Sequence, residues 1–331
     1  MRILFLFLLF TVSSFANAQI RENLRMIHSQ IDSVLQERNN KPPTFDTAYI
    51  ARPGNRLTLK FRANLSGDAI HTKGTVKDVY SKTDLHTDNK LTFSFAANYR
   101  GISAAIAMNP ATIFGKKEKK DFEIYTSFYN PKISVDASYH NSHTLSGEVD
   151  RYKKVHIEPG NVDMKVVNLS AYYTFNHRRF SFPAAFTQTY IQKRSAGSWL
   201  AGFSFQGGTI KTSEEAPDYY PKLKLEADHL GIGGGYGYNW VVKDKWLFHI
   251  STMPTFVILN HNKMSVNGEE IKAKSIDLNM IFNEHIAIIY QFSKKYFAGL
   301  TVAVNNSLFD DKYIQIRQNK WRSRLFFGIR L

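Results

Sequence analysis

Two serines invite a chemical reading first. Ser195 and Ser198 sit in "FSFPAAFTQTYIQKRSAGSWLAGFSFQGG", residues 180–208, beside Gln192, Lys193 and Arg194. Neither has the Gly-x-Ser-x-Gly elbow that exposes a nucleophile at a strand-to-helix turn. His140, His143, His156, His229 and His249 are scattered, and no spacing ties one of them to either serine. The alternative is a tight polar turn in which Gly197 supplies permissive dihedrals. His140 and His143 ("HNSH") would ligate a metal only with a further ligand from another segment. The pairs Asp310-Asp311 and Glu214-Glu215 read as loop acids. "GIGGGYGYNW", residues 231–240, fails as a dinucleotide fingerprint: Tyr236 stands where the third glycine belongs, and no helix opens after it. No catalytic residue, metal or cofactor is assigned.

The basic residues form a better pattern. Lys60, Arg62, Arg322, Arg324 and Arg330 all fall on the polar parity of segments that alternate with period two. Leu57, Leu59, Phe61, Ala63 and Leu65 alternate with Thr58, Lys60, Arg62 and Asn64. In "WRSRLFFGIRL", Trp321, Leu325, Phe327, Ile329 and Leu331 share one face; Arg322, Arg324, Gly328 and Arg330 share the other, with Phe326 among them. Such alternation marks strands with one apolar face. Arginines on the inner wall of a closed sheet would favour anionic solutes.

The elements that must position these residues follow from the rest of the chain. Residues 1–18 read as a secretory signal peptide: Arg2, an apolar run Ile3–Val12, and Ala16-Asn17-Ala18 before the cut. Residues 19–48 read as a periplasmic helix and linker, with Ile20, Leu24, Ile27, Ile31, Val34 and Leu35 at helical spacing over 20–38, a surface for a periplasmic partner. Residues 49–331 read as the β-domain. There is no cysteine, so an exported chain must rely on a large core or a closed sheet. No long apolar run follows the signal, yet 25 phenylalanines and 17 tyrosines are present. Strand segments of about ten residues, tilted by ~40°, would cover about 25 Å, the height of an outer-membrane apolar band.

Tight connections near 100–101, 130–131, 176–179, 242–245 and 293–295 alternate with polar segments 66–89, 109–120, 141–163, 209–222, 259–273 and 306–319, which read as outer loops. Tyr99, Tyr129, Tyr172, Tyr238, Trp240, Trp246, Tyr290, Tyr296 and Trp321 read as an interfacial girdle. The fold expected is all-β: a closed antiparallel transmembrane barrel of twelve strands, with fourteen as the alternative. Parity breaks down over 177–222, where Pro183, Gln188 and Gln192 are poor wall residues.

With "FDTAYIARPGNRLTLKF" at 45–61, that irregular stretch resembles a Bacteroidota domain-of-unknown-function family of predicted outer-membrane β-barrels. The resemblance lies in Asp46, Tyr49 and Ile50, and in Ser181, Ala184, Gln188, Gln192, Ser195, Ala196, Gly197 and Ser198. It implies a location and an architecture but no activity. Three function classes then stand: a pore or transporter for small anionic solutes, a structural or assembly protein, and a barrel-embedded lipid enzyme. The partners expected are outer-membrane lipid, lipopolysaccharide and the barrel-assembly machinery. Lys116, Lys117, Lys119 and Lys120 would face lipid phosphates. A formal charge of +15 does not by itself argue for nucleic acid.

Overall fold

The wall of the molecule begins where the period-two alternation begins. A computed structural model describes residues 43–54, 57–76, 79–99, 102–108, 121–150, 154–218, 220, 222–271, 279–310 and 314–331. The expected signal peptide, the helix over 20–38 and the lysines of 116–120 lie outside the described residues. The elements are, in chain order, β1 (Ile50–Ala51), β2 (Leu57–Val76), β3 (Val79–His86), β4 (Lys90–Tyr99), β5 (Ile102–Met108), β6 (Phe122–Tyr129), β7 (Ile133–Ser142), β8 (Ser146–Asp150), β9 (Lys154–Ile157) and β10 (Val162–Thr174). There follow α1 (Phe182–Phe186), β11 (Ile191–Gln192), β12 (Ala196–Thr212), β13 (Leu223–Val242), β14 (Trp246–Val266), β15 (Glu269–Ile271), β16 (Met280–Gln291), β17 (Tyr296–Asp310) and β18 (Ile314–Arg330).

One antiparallel sheet holds the wall. Its path runs β6-β7-β10-β12-β13-β14-β16-β17-β18-β2, then through β4 to β5. The last strand pairs with the first long one over its whole length, from Ile314 opposite Gly74 to Arg330 opposite Thr58. The sheet curls back on itself. Glu123 of β6, at one end of the path, reaches Arg322 of β18 and Ser66 of β2 near the other. At the long-connection end β3 pairs with β8, whose hairpin lies between β7 and β10 in the chain. β5 and β6 end the path, and no pairing joins them among the described residues.

The curl has an apolar outside and a polar inside, the reverse of a water-soluble sandwich. Phe61, Phe95, Ile250 and Leu325 are among the exposed large apolar residues, the last three more than 60% exposed. Ser94, Ser134, Ser170, Ser204, Asn239, Asn283 and Thr301 are buried inside. Each such apolar side chain is worth about 1.5–3 kcal/mol when removed from water. A continuous band of them therefore calls for an apolar medium around the wall. Among the described residues no helix is long and apolar enough to cross a membrane.

Several expectations are corrected. The ten-residue length holds for β4 and β7, which have 10, but β2 and β13 have 20 and β14 has 21. Much of 66–89, 259–273 and 306–319 is thus strand rather than loop, and 141–163 carries the β8–β9 hairpin. Residues 175–195 contain no wall strand, which accounts for the broken parity there. The girdle is partly right. Tyr238, Trp240, Trp246 and Tyr296 are exposed near the tight-turn end, and Trp246 lies 4.6 Å from Tyr290. Tyr129 and Tyr172 instead turn inward and are buried, because they fall on the polar parity. Trp321 sits in mid-strand, opposite Gly67.

Candidate functional site

After Thr174 the chain leaves the wall and returns at Ala196, placing an insert across the tight-turn end. Ser181 starts α1 as its N-cap: its Oγ accepts from the Ala184 N–H at 3.2 Å. Pro183 follows in the first turn, where its missing N–H costs nothing. Gln188, at φ +56°, turns the chain back. Ile191 and Gln192 then pair with Ala51 and Ile50, tying the insert to the segment before the wall. Phe182, Pro183, Ala184 and Ala185 are buried. The ring of Phe182 packs on Tyr129, Tyr172 and His249, and Phe186 packs on Tyr129, His249 and His285. These partners come from β6, β10, β14 and β16, so the insert spans the concave side as a plug. Phe180 fills the space above Gly237, where a Cβ would stand 2.9 Å from its ring. In place of a phosphate loop, Gly237 makes room for this plug, while Gly233 and Gly235 let the β14 backbone approach closely.

Two wall cations hold the plug. Lys60 donates to the Phe186 carbonyl at 3.2 Å and to Gln188 Oε1. Arg330 donates to the Gln188 carbonyl at 3.2 Å and to Gln291 Oε1 at 2.8 Å. Both were expected as lining residues; both are buried, and both touch the plug.

A directional hydrogen-bond chain runs from the plug into the wall. Gln192 Nε2 donates to the carbonyls of Arg179 (2.6 Å) and Arg194 (2.9 Å), so its Oε1 must accept. It accepts from the Ser181 N–H at 3.1 Å and from Asn239 Nδ2 at 3.0 Å. Asn239 Nδ2 also donates to the Ser181 carbonyl at 3.0 Å, which orients the Asn239 amide. Asn239 Oδ1 therefore faces His249 Nδ1, 2.7 Å away, as an acceptor. That sets the proton on Nδ1 and leaves the Nε2 lone pair for the Ser251 hydroxyl, 2.9 Å away. Asn239 and His249 are directly opposite on β13 and β14, and Ser251 follows on the same face of β14. All three are buried.

The remaining motif residues have structural jobs. Ser195 Oγ accepts from the Val241 N–H at 2.9 Å. Ser198 Oγ accepts from the Asn176 N–H at 2.9 Å and donates to the Trp199 carbonyl at 2.8 Å. Gly197 is required for space rather than dihedral freedom: its φ is not positive, and a Cβ there would meet the Tyr236 hydroxyl at 2.0 Å.

Farther along the inner face lies a second polar cluster. On the β18–β2 seam Arg322 is opposite Ser66, Arg324 opposite Asn64 and Phe326 opposite Arg62. Arg322 is ion-paired with Glu123, and Lys320 Nζ lies 3.3 Å from the same carboxylate. Arg322 and Arg324 lie over the Tyr125 ring at 4.0 and 4.3 Å. Tyr125, Tyr129 and Tyr172 all donate to Asp136, which also has His285 Nε2 at 3.6 Å. Arg62 lies within electrostatic reach of Arg324, Tyr125 and Tyr129. Among the described residues neither Arg62 nor Arg324 is ion-paired with a carboxylate. A cavity of about 20 Å³ opens among Tyr125, Asp136, Asn283, His285 and Arg322, room for an ordered water. His140 and His143 do not come together: His140 lies 3.7 Å from Asp68, and His143 bonds Asp163 at 2.6 Å.

Sequence reasoning passed over Glu123, Tyr125, Asp136, Asn239, Ser251 and His285. Each falls on the inward parity of its strand, and that was the available signal.

The profile of a family described as a domain of unknown function (DUF4421) matches residues 44–330. No curated protein matches the sequence. Solved structures similar to this one include the outer membrane protease OmpT from Escherichia coli, at 11% identity and a TM-score of 0.46. That match covers 84% of this chain and 97% of the protease. Another is the outer membrane protein OprG from Pseudomonas aeruginosa, at 11% identity, TM-score 0.30, covering 85% and 99%. A third is an outer membrane channel from Pseudomonas putida F1, at 12% identity, TM-score 0.30, covering 87% and 100%.

Proposed function

The chain belongs to the DUF4421 family of domains of unknown function, and we propose that it is an outer-membrane β-barrel, plugged at its periplasmic end, that passes small anionic solutes when the plug moves aside. In this reading β3 and β4 act as one wall strand, β5 pairs with β6, and twelve strands close the barrel. The tight turns and the plug face the periplasm, and the long strand extensions face outward.

The observation that carries the solute class is the charge of the seam. Lys60, Arg62, Lys320, Arg322, Arg324 and Arg330 all point inward; among the described residues only Lys320 and Arg322 of these are ion-paired, both with Glu123, and Asp68 lies opposite Lys320. Strands β10, β12, β16 and β17 offer neutral groups, Ser170, Ser204, Asn283 and Asn305, which bond one another. A cationic wall joined to a neutral polar one draws anions. The plug supports a closed resting state, because it fills the floor and is fastened by Lys60 and Arg330.

The test is single-channel conductance of the refolded chain in a planar bilayer under a salt gradient, comparing the parent with the double variant Lys60→Met, Arg330→Gln. The parent should be silent or open rarely, and the variant should show frequent anion-selective steps. A folded variant that stays silent would favour the structural reading, in which the barrel is a sealed scaffold presenting the β2–β3 and β8–β9 hairpins.

A further inference from the structure

We infer that Ser251, His249 and Asn239 form a serine nucleophile site, masked by the plug, that acts on esters with an apolar acyl chain. The geometry has two parts of such chemistry: a hydroxyl bonded to an unprotonated imidazole nitrogen, and a third group that orients the ring. Here the orienting group is an amide, and its own direction is imposed by Gln192 and Ser181. Any buried histidine bonded at both nitrogens has its tautomer set by its partners, and what matters is which nitrogen is left to accept. In this fold three successive hydrogen bonds set it, and the last acceptor is the nitrogen that faces Ser251.

The cover over the site indicates the substrate. Phe180 and Phe182 pack on His249 as tilted rings and Phe186 packs on it edge-on, with ring centroids 5.9, 5.1 and 5.0 Å away. Phe182 belongs to an apolar cluster with Tyr129, Tyr172, Leu200 and Met253. When α1 withdraws, the space left by Phe182 is an apolar slot beside the His249 ring, and an acyl chain fits it better than a charged group does. α1 is fastened through Lys60, whereas the orienting amide is held at the two ends of the insert, by the Ser181 carbonyl and by Gln192, which is itself tied to Ile50 by strand pairing.

In the reaction, Ser251 Oγ attacks the ester carbonyl carbon while His249 Nε2 takes the hydroxyl proton. The ester C–O bond then breaks, and the same proton passes to the departing alkoxide, which leaves as an alcohol. Water, deprotonated by Nε2, attacks the acyl-Ser251 carbonyl, releases the carboxylic acid and restores the serine. No oxidant or metal is required.

The probe is methanesulfonyl fluoride, with adducts located by peptide mass spectrometry and p-nitrophenyl butyrate as the ester. The refolded Lys60→Met, Arg330→Gln variant should be labelled at Ser251 faster than the parent and should release nitrophenol. Adding His249→Gln should slow labelling by about 100-fold or more, the contribution of a positioned general base. A folded plug-released variant with Ser251 unmodified, or labelled equally fast without His249, would overturn the inference. If that variant does not fold, the milder Lys60→Met, which loosens α1 alone, decides the matter: Ser251 must be labelled faster in it than in the parent, and equal or slower labelling rejects the site. Conductance of the same preparation separates this inference from the transport reading. Labelling in a silent barrel keeps the nucleophile and discards the conduit; conduction with an unmodified Ser251 does the reverse.

Discussion

The concave side carries two polar regions built on opposite terms. At the floor, the Gln192–Asn239–His249–Ser251 chain gives each donor one acceptor in a single direction. On the seam, cations outnumber acids, and Arg62 and Arg324 pair with no carboxylate among the described residues. A fully paired region specifies one arrangement and resists change. A region with excess charge gains from an external counter-charge. Rigidity therefore belongs to the floor, which positions groups, and ligand affinity to the seam, which attracts solutes.

The contrast breaks most sharply at the carboxylate that is ion-paired with two seam cations. Glu123→Ala strips the carboxylate from Arg322 and Lys320 together. The expected loss is about 3–5 kcal/mol of unfolding stability, the cost of leaving a buried charge without its partner. Denaturant unfolding of the refolded barrel in detergent measures it. At the floor, Gln192→Ala leaves the Ser181 N–H, Asn239 Nδ2 and two carbonyls without their partner. A loss of about 1–3 kcal/mol is expected in the same assay, the range for an unsatisfied buried polar group. Arg62→Gln should do least to the fold. No acid loses a partner, so stability should stay within about 0.5 kcal/mol of the parent, while anion selectivity falls in the plug-released background. A destabilisation by Arg62→Gln as large as that from Glu123→Ala would show that the seam is as tightly paired as the floor, and would remove the contrast.

Much of the seam is legible in the amino-acid sequence. Period-two alternation places Lys60 and Arg62 on one face of β2, and Arg322, Arg324 and Arg330 on one face of β18, because successive strand residues point to opposite sides. The plug shows there only as a failure of that rule. Pro183, Gln188 and Gln192 do not fit a wall strand, but a five-residue helix has too few internal hydrogen bonds to announce itself. What holds it is the ring contacts to Tyr129, Tyr172 and His285, which are far away in the chain. Ser195 and Ser198 draw attention by type, yet they bond backbone groups. Ser251, two residues from His249 on one face, draws none, since the Asn239 that orients the histidine is supplied by strand register.

Local periodicity and composition, which act within a few residues, set which side chains face in and which face out. They also set where strands begin at the tight-turn end, though not how far they extend, and that the last strand carries a basic inner face to match the first. The assembled sheet was needed for the rest: that 175–195 would fold inward as a plug, that Lys60 and Arg330 would fasten it, and that Glu123 and Asp136 would become the hubs of the inner network. The same holds for the meeting of Ser251 with a histidine held in the required tautomer. Each of these depends on groups from distant strands arriving at one point on the concave face, and only the register and curl of the whole sheet bring them there.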